Sequence, residues 1–126
     1  MNNGEKTVLL GSTFPFSLVR RDVRVRVISL GEFREVLANA GRVASFWGHE
    51  NTRRIAEEML GVDLRPKTER PAISLSPDGL PTLDGETFST CYVCSPDYRR
   101  GFRPAIGEEV PADAITGWQM LRIDWI

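Results

Sequence analysis

Val43-Ala-Ser-Phe-Trp-Gly-His-Glu-Asn-Thr-Arg53 is the stretch that decides the fold. Residues 43–47 form a short apolar run, a buried-strand candidate. Gly48, His49 and Glu50 make the turn, and Asn51 or Thr52 then caps a helix. Ile55, Met59 and Leu60 share the apolar face of that helix, while Arg53, Arg54, Glu57 and Glu58 are expected in solvent. Gly61 ends it. A strand that feeds a helix through a tight turn belongs to a sheet with helices packed on it.

The flanking sequence extends this pattern in both directions. Residues 7–10 are a buried first strand, followed by a loop rich in small residues up to Ser17. Residues 22–28 alternate strictly, with Val23, Val25 and Val27 on one face and Arg24 and Arg26 on the other, which predicts a half-exposed strand near an edge. Ser29 and Glu32 have capping-box spacing. Phe33, Val36, Leu37 and Ala40 then line one helical face, with Gly41 as the expected stop. Downstream, residues 63–70 connect to strands at 72–76 and 88–93 around a Pro77-Asp78-Gly79 turn. Residues 95–109 are expected to form a long loop, of the kind that carries binding work. Residues 111–116 predict a short helix with Pro111 at its first turn. The chain closes on a strand from Trp118, with Trp118, Met120 and Leu121 set apart from Gln119 and Arg122.

The resulting order, β-β-α-β-α-β-β-α-β, predicts an α/β (α+β) fold. It has a single mixed sheet of about five to six strands with two to three packed helices. All 126 residues are expected in one domain, since a chain of this length buries roughly 65–70% of its unfolded surface.

Composition narrows the functional classes. With 41% hydrophobic and 26% charged residues the chain has ordinary globular character, and no run approaches the ~20 apolar residues of a membrane span. Residues 1–6 are polar and lack the apolar core of a signal peptide, so a cytoplasmic protein is expected. The formal charge of -1 argues against coating a nucleic-acid duplex. Of the sixteen basic residues only Lys6 and Lys67 are lysines, so the cationic surface is almost wholly arginine. Arginine is the bidentate partner of phosphate, although solvated surface charge explains the same composition. Cys91 and Cys94 form a C-x-x-C pair, but redox motifs open helices and these residues lie in a strand pattern, so they read as two strand cysteines.

Residues 46–53 hold the one piece of chemistry. The chain's single histidine stands at a helix start, where backbone N–H groups lack internal partners and favour an anion. Gly48 lets a ligand approach the backbone. A histidine in that place also serves as a cap or a packing residue. There is no nucleophile elbow, no Walker loop, no Gly-x-Gly-x-x-Gly and no cluster of metal ligands. Two possibilities remain, metal-free chemistry on an anion or the binding of one.

Val8-Leu-Leu-Gly-Ser-Thr-Phe14, Gly48-His-Glu-Asn-Thr52 and Leu60-Gly-Val62 resemble the viral ring nucleases, the type III anti-CRISPRs of archaeal and bacterial viruses, and their cellular relatives. The resemblance runs over nearly the whole chain in element order, and its distinctive motif is Gly-His-x-x-Thr. It implies a homodimer without metal or cofactor that binds cyclic tetra-adenylate between subunits. The ring is cut to linear di-adenylate with a 2′,3′-cyclic phosphate, which would occur in the host cytoplasm if the source is viral. His49 takes the place of the family's general acid. Arg70 and Arg103 stand where the family carries ligand-facing arginines, with Arg99 and Arg100 as rivals in the same loop. Ser12 and Ser17 replace polar residues after the first strand. Gly11, Gly48, Glu50, Asn51 and Thr52 join the expected ligand-binding surface. The family's assisting Glu falls on Ile106, with Glu108 and Glu109 displaced, and this departure raises a second expectation, a sponge that holds the ring without cutting it. A third, a small nucleic-acid-binding regulator, would use Arg24, Arg26 and the loop arginines.

Overall fold

The structure, a computed structural model, describes residues 6–102 and 109–126. Strands are β1 (Thr7–Gly11), β2 (Val23–Ile28), β3 (Arg42–Ser45), β4 (Ser74–Leu75), β5 (Pro81–Leu83), β6 (Glu86–Thr87), β7 (Thr90–Tyr98) and β8 (Ile115–Trp125). The helices are α1 (Leu30–Ala38) and α2 (Glu50–Leu60), with 3-10 turns at Phe16–Leu18 and Ala112–Ala114. The expected mixed α+β architecture is present. Its main sheet has the order β2-β8-β7-β1-β3, with β1 parallel to both β3 and β7 and with β8 antiparallel to β7 and β2.

Period-two alternation in β1 builds both cores at once. Val8 and Leu10 face α1 and α2, where Phe33, Leu37, Trp47, Ala56, Tyr92 and Met120 complete one cluster. Leu9 faces the other way and joins Phe14, Leu83, Phe88, Val93, Ile123 and Trp125. That second face is covered by a small antiparallel sheet, β4-β5-β6, which adds to the single sheet expected from sequence. Its hairpin turns on Asp84 and Gly85, both at positive φ, the conformation an Asp-Gly two-residue turn requires. Among the described residues no helix is long and apolar enough to cross a membrane.

Several local expectations change. β3 is an edge strand with Arg42 exposed, not a buried one. α1 is capped by Ser29, whose Oγ accepts from the Glu32 N–H at 3.0 Å, but it stops at Ala38, short of Gly41. Asn39 ends it by donating from both backbone and side chain to the Glu35 carbonyl, which frees the Gly41 N–H to bond Lys6 O at the start of β3. Residues 72–76 yield only the two-residue β4. β7 runs on through Pro96 to Tyr98, into the stretch expected as loop. Beyond Val93 it is paired only with β8, and a one-sided position tolerates proline. Leu121 shares its face with Ile123 and Trp125, opposite Trp118 and Met120.

Cys91 and Cys94 are free, buried strand residues. Three positions apart on a strand, they lie on opposite faces, one in each core. Burial pushes the Cys94 thiol up to about 12 and raises that of Cys91 still further. Neither is a thiolate at neutral pH. On β8, burial raises the Asp124 carboxyl, but hydrogen bonds from Thr90 and Arg122 outweigh it and hold the group below the usual carboxylate range.

Candidate active site

The site forms where β1 and β3 end and α2 begins, at the carboxyl ends of parallel strands. The Phe46 N–H extends the β1–β3 pairing to Leu10 O at 2.9 Å. One residue later the Trp47 N–H turns back to Ser45 Oγ at 3.3 Å. The Trp47 side chain is thereby sent into the helix-side core, where it meets Trp118 edge-on at 6.3 Å. Gly48 and His49 then stand exposed at the start of α2.

His49 itself is the N-cap, where Asn51 or Thr52 was expected. Its Nδ1 accepts from the Thr52 N–H at 3.3 Å. Thr52 is buried, and its Oγ1 stands 3.0 Å from Nδ1 and 3.3 Å from the His49 carbonyl oxygen. The Trp47 indole N–H donates to the same Oγ1 at 3.1 Å. His49 Nε2 makes no hydrogen bond to any described residue. Asn51 instead accepts the Val110 N–H, tying α2 to the residues that lead into the Ala112–Ala114 turn.

His49 lines a cavity of about 470 Å³. Ser12, Thr13 and the backbone of Gly48 supply its polar rim, while Pro15, Leu18, Phe46 and residues 71–73 form an apolar wall. A Cβ on Gly48 would meet nothing within 4 Å, so the backbone there is open to a ligand. Gly11 plays a different part. Its Cβ would lie 2.3 Å from the Phe46 ring, so glycine is required for Phe46 to seat in the wall. Ser12 is held from β7, with its carbonyl accepting from the Ser95 hydroxyl.

The structure thus brings His49, Gly48 and Ser12 to one cavity, with Thr52 behind the histidine and Gly11 behind the wall. Arg70 is exposed and immediately precedes that wall. Ser17 is exposed in the 3-10 turn and outside the cavity lining, its carbonyl accepting from Arg20 Nε at 2.9 Å. Glu50 lines a separate groove of about 660 Å³ beyond Gly48 and pairs there with Arg54. Arg53, expected in solvent, is buried against the same groove. It pairs with Glu57 at 2.9 Å, and that carboxylate also accepts the Leu64 N–H at 2.7 Å. Arg99 lies over the Phe102 ring and 3.6 Å from Asp113, and it is not part of the His49 cavity lining. Arg100 is exposed. Arg103, Ile106 and Glu108 lie outside the described residues.

Sequence reasoning missed Trp47 and the wall at residues 71–73. The signal for Trp47 was partial: a buried indole needs an acceptor for its N–H, and Ser45 and Thr52 both offer a hydroxyl within five residues. Nothing local announces that residues 71–73 return to the β3 end. No protein-family model matches the chain, and no curated protein is significantly similar to it.

Proposed function

We propose that the chain is a metal-independent ring nuclease. Two copies bind cyclic tetra-adenylate between them and cut it to linear di-adenylate with a 2′,3′-cyclic phosphate, which switches off type III CRISPR signalling. The observation that carries this reading is the placement of the chain's one histidine. His49 stands at the start of α2 with Nε2 unbonded to any described residue, beside a cavity whose rim offers an open glycine backbone and hydroxyls.

The reaction needs little more from the protein. A ribose 2′-OH attacks the adjacent phosphorus as its proton leaves to water, and the bond from phosphorus to the 5′-oxygen breaks. His49 Nε2 gives a proton to that oxygen, a step worth about 10²–10⁴-fold. Holding the three atoms in line is the other requirement. The free N–H groups at the start of α2 and Arg70 at the rim would meet phosphate charge, and the apolar wall would meet a base. In a two-fold dimer, two His49 residues would face opposite phosphates of a four-membered ring.

A specific observation favours the sponge as a second reading. Among the described residues no Asp or Glu lines the His49 cavity. Incubation with labelled cyclic tetra-adenylate in EDTA separates the outcomes. Conversion to linear di-adenylate is expected. Intact ring eluting with the protein would replace the nuclease with the sponge, and neither binding nor cutting would remove both. In that case a steeply salt-dependent affinity for duplex would leave the regulator standing.

A further inference from the structure

We propose that the Thr52 hydroxyl, held in place by Trp47, is a positioning group that takes the Nδ1 hydrogen when His49 is charged, in exchange for the cap that Nδ1 of the neutral ring gives the Thr52 N–H. The contacts stand independently of function, whereas their catalytic consequence rests on the reading of His49 as the acid.

The neutral ring is settled by the backbone. A peptide N–H only donates, so the Thr52 N–H at 3.3 Å requires a lone pair on Nδ1, and the ring hydrogen then sits on Nε2. With the hydrogen on Nδ1 instead, two N–H groups would point at each other, and a helix-start donor on a buried residue would lose its acceptor.

An acid must also exist with both ring nitrogens protonated, and in that state Nδ1 needs an acceptor. Thr52 Oγ1 is in position at 3.0 Å. Its own hydrogen then has the His49 carbonyl oxygen at 3.3 Å, and its second lone pair takes the Trp47 indole N–H at 3.1 Å. The hydroxyl would accept twice and donate once, its full capacity. When the ring is neutral the same hydrogen can swing to Nδ1. Trp47 donates in both states and keeps the oxygen from turning away. The ring therefore keeps one orientation, with Nε2 as the nitrogen left for the cavity. When Nε2 passes its proton to the 5′-oxygen, the ring is left neutral with hydrogen on Nδ1, and Oγ1 still accepts it.

Because His49 is the only histidine, ¹⁵N-histidine labelling of the full chain gives one ring to follow. Wild type at alkaline pH should show the Nε2–H form. At a pH that charges the ring, the Nδ1 hydrogen should be protected from exchange. Thr52→Val should lose that protection and lower kcat by about 10–10²-fold with KM within about twofold, and Thr52→Ser should restore both. Trp47→Phe should do the same to a smaller extent. Melting temperatures of the Val and Ser variants separate a fold defect from a lost hydroxyl. An Nδ1–H form in neutral wild type, protection unchanged in Thr52→Val, or failure of Ser to restore it would overturn the proposal. If the wild type cuts no ring, the proposed function falls, while the exchange measurements still decide the Thr52 contact.

Discussion

Helix α2 finishes its two ends in different ways. At the C-terminal end Gly61 enters the left-handed region at φ 70° and returns its N–H to Glu57 O at 2.8 Å. The Glu57 side chain gathers Arg53 and Leu64, so every partner is local and the residue types suit the task. At the N-terminal end the cap is a histidine, which is not among the side chains that cap best, and its Nε2 is bonded to no described residue beside a cavity. One end is built only to stop a helix. The other departs from the best local solution, and the departure is where the chemistry is proposed.

His49→Asn should show the largest difference between the two ends. Asparagine caps well but holds no transferable proton, so cleavage should fall by about 10²–10⁴-fold while stability changes by less than about 1 kcal/mol. Single-turnover assays and thermal melts read the two separately, and equal losses in both would make His49 merely a cap. Gly11→Ala should act at the same end through packing. The new Cβ would lie 2.3 Å from the Phe46 ring, so the ring must leave the wall, at about 1–3 kcal/mol and with weakened ring binding.

Gly61→Ala should cost about 1 kcal/mol in denaturant unfolding and leave the catalytic rate unchanged. A rate loss there would join the two ends into one functional unit. The smallest effect lies in the sheet. Asp124 has a lowered folded-state pKa, so its contribution is present above the ordinary carboxylate range and is lost as pH falls through the lowered value. Asp124→Asn should flatten the acid limb of the stability curve by less than about 1 kcal/mol, because the group is partly solvated.

Local signals were legible and distant ones were not. Ser29 at the start of α1 and Gly61 at the end of α2 each depend on neighbours within a few residues and stand as read. The Val/Arg alternation of β2 marked an edge strand but not a buried face, since Val25 and Val27 are exposed like Arg24 and Arg26. The β5–β6 hairpin was missed because strands of three and two residues carry no periodicity, although Asp84-Gly85 marked its turn. Arg53 reads as surface from its charge. Its burial follows from Glu57 and the Leu64 N–H closing around it. The same divide runs through the site. His49 and Gly48 were visible as a motif at a helix start. That Ser12 joins them while Ser17, Glu50 and Arg99 do not depends on β1 lying between β3 and β7, which residue types alone do not encode.

The most direct test is a single-turnover reaction of the purified chain with labelled cyclic tetra-adenylate in EDTA, run beside His49→Asn. The account predicts linear di-adenylate with a 2′,3′-cyclic phosphate from wild type, and intact ring from an equally stable variant. Cleavage at the same rate by both proteins, or by neither, would contradict it.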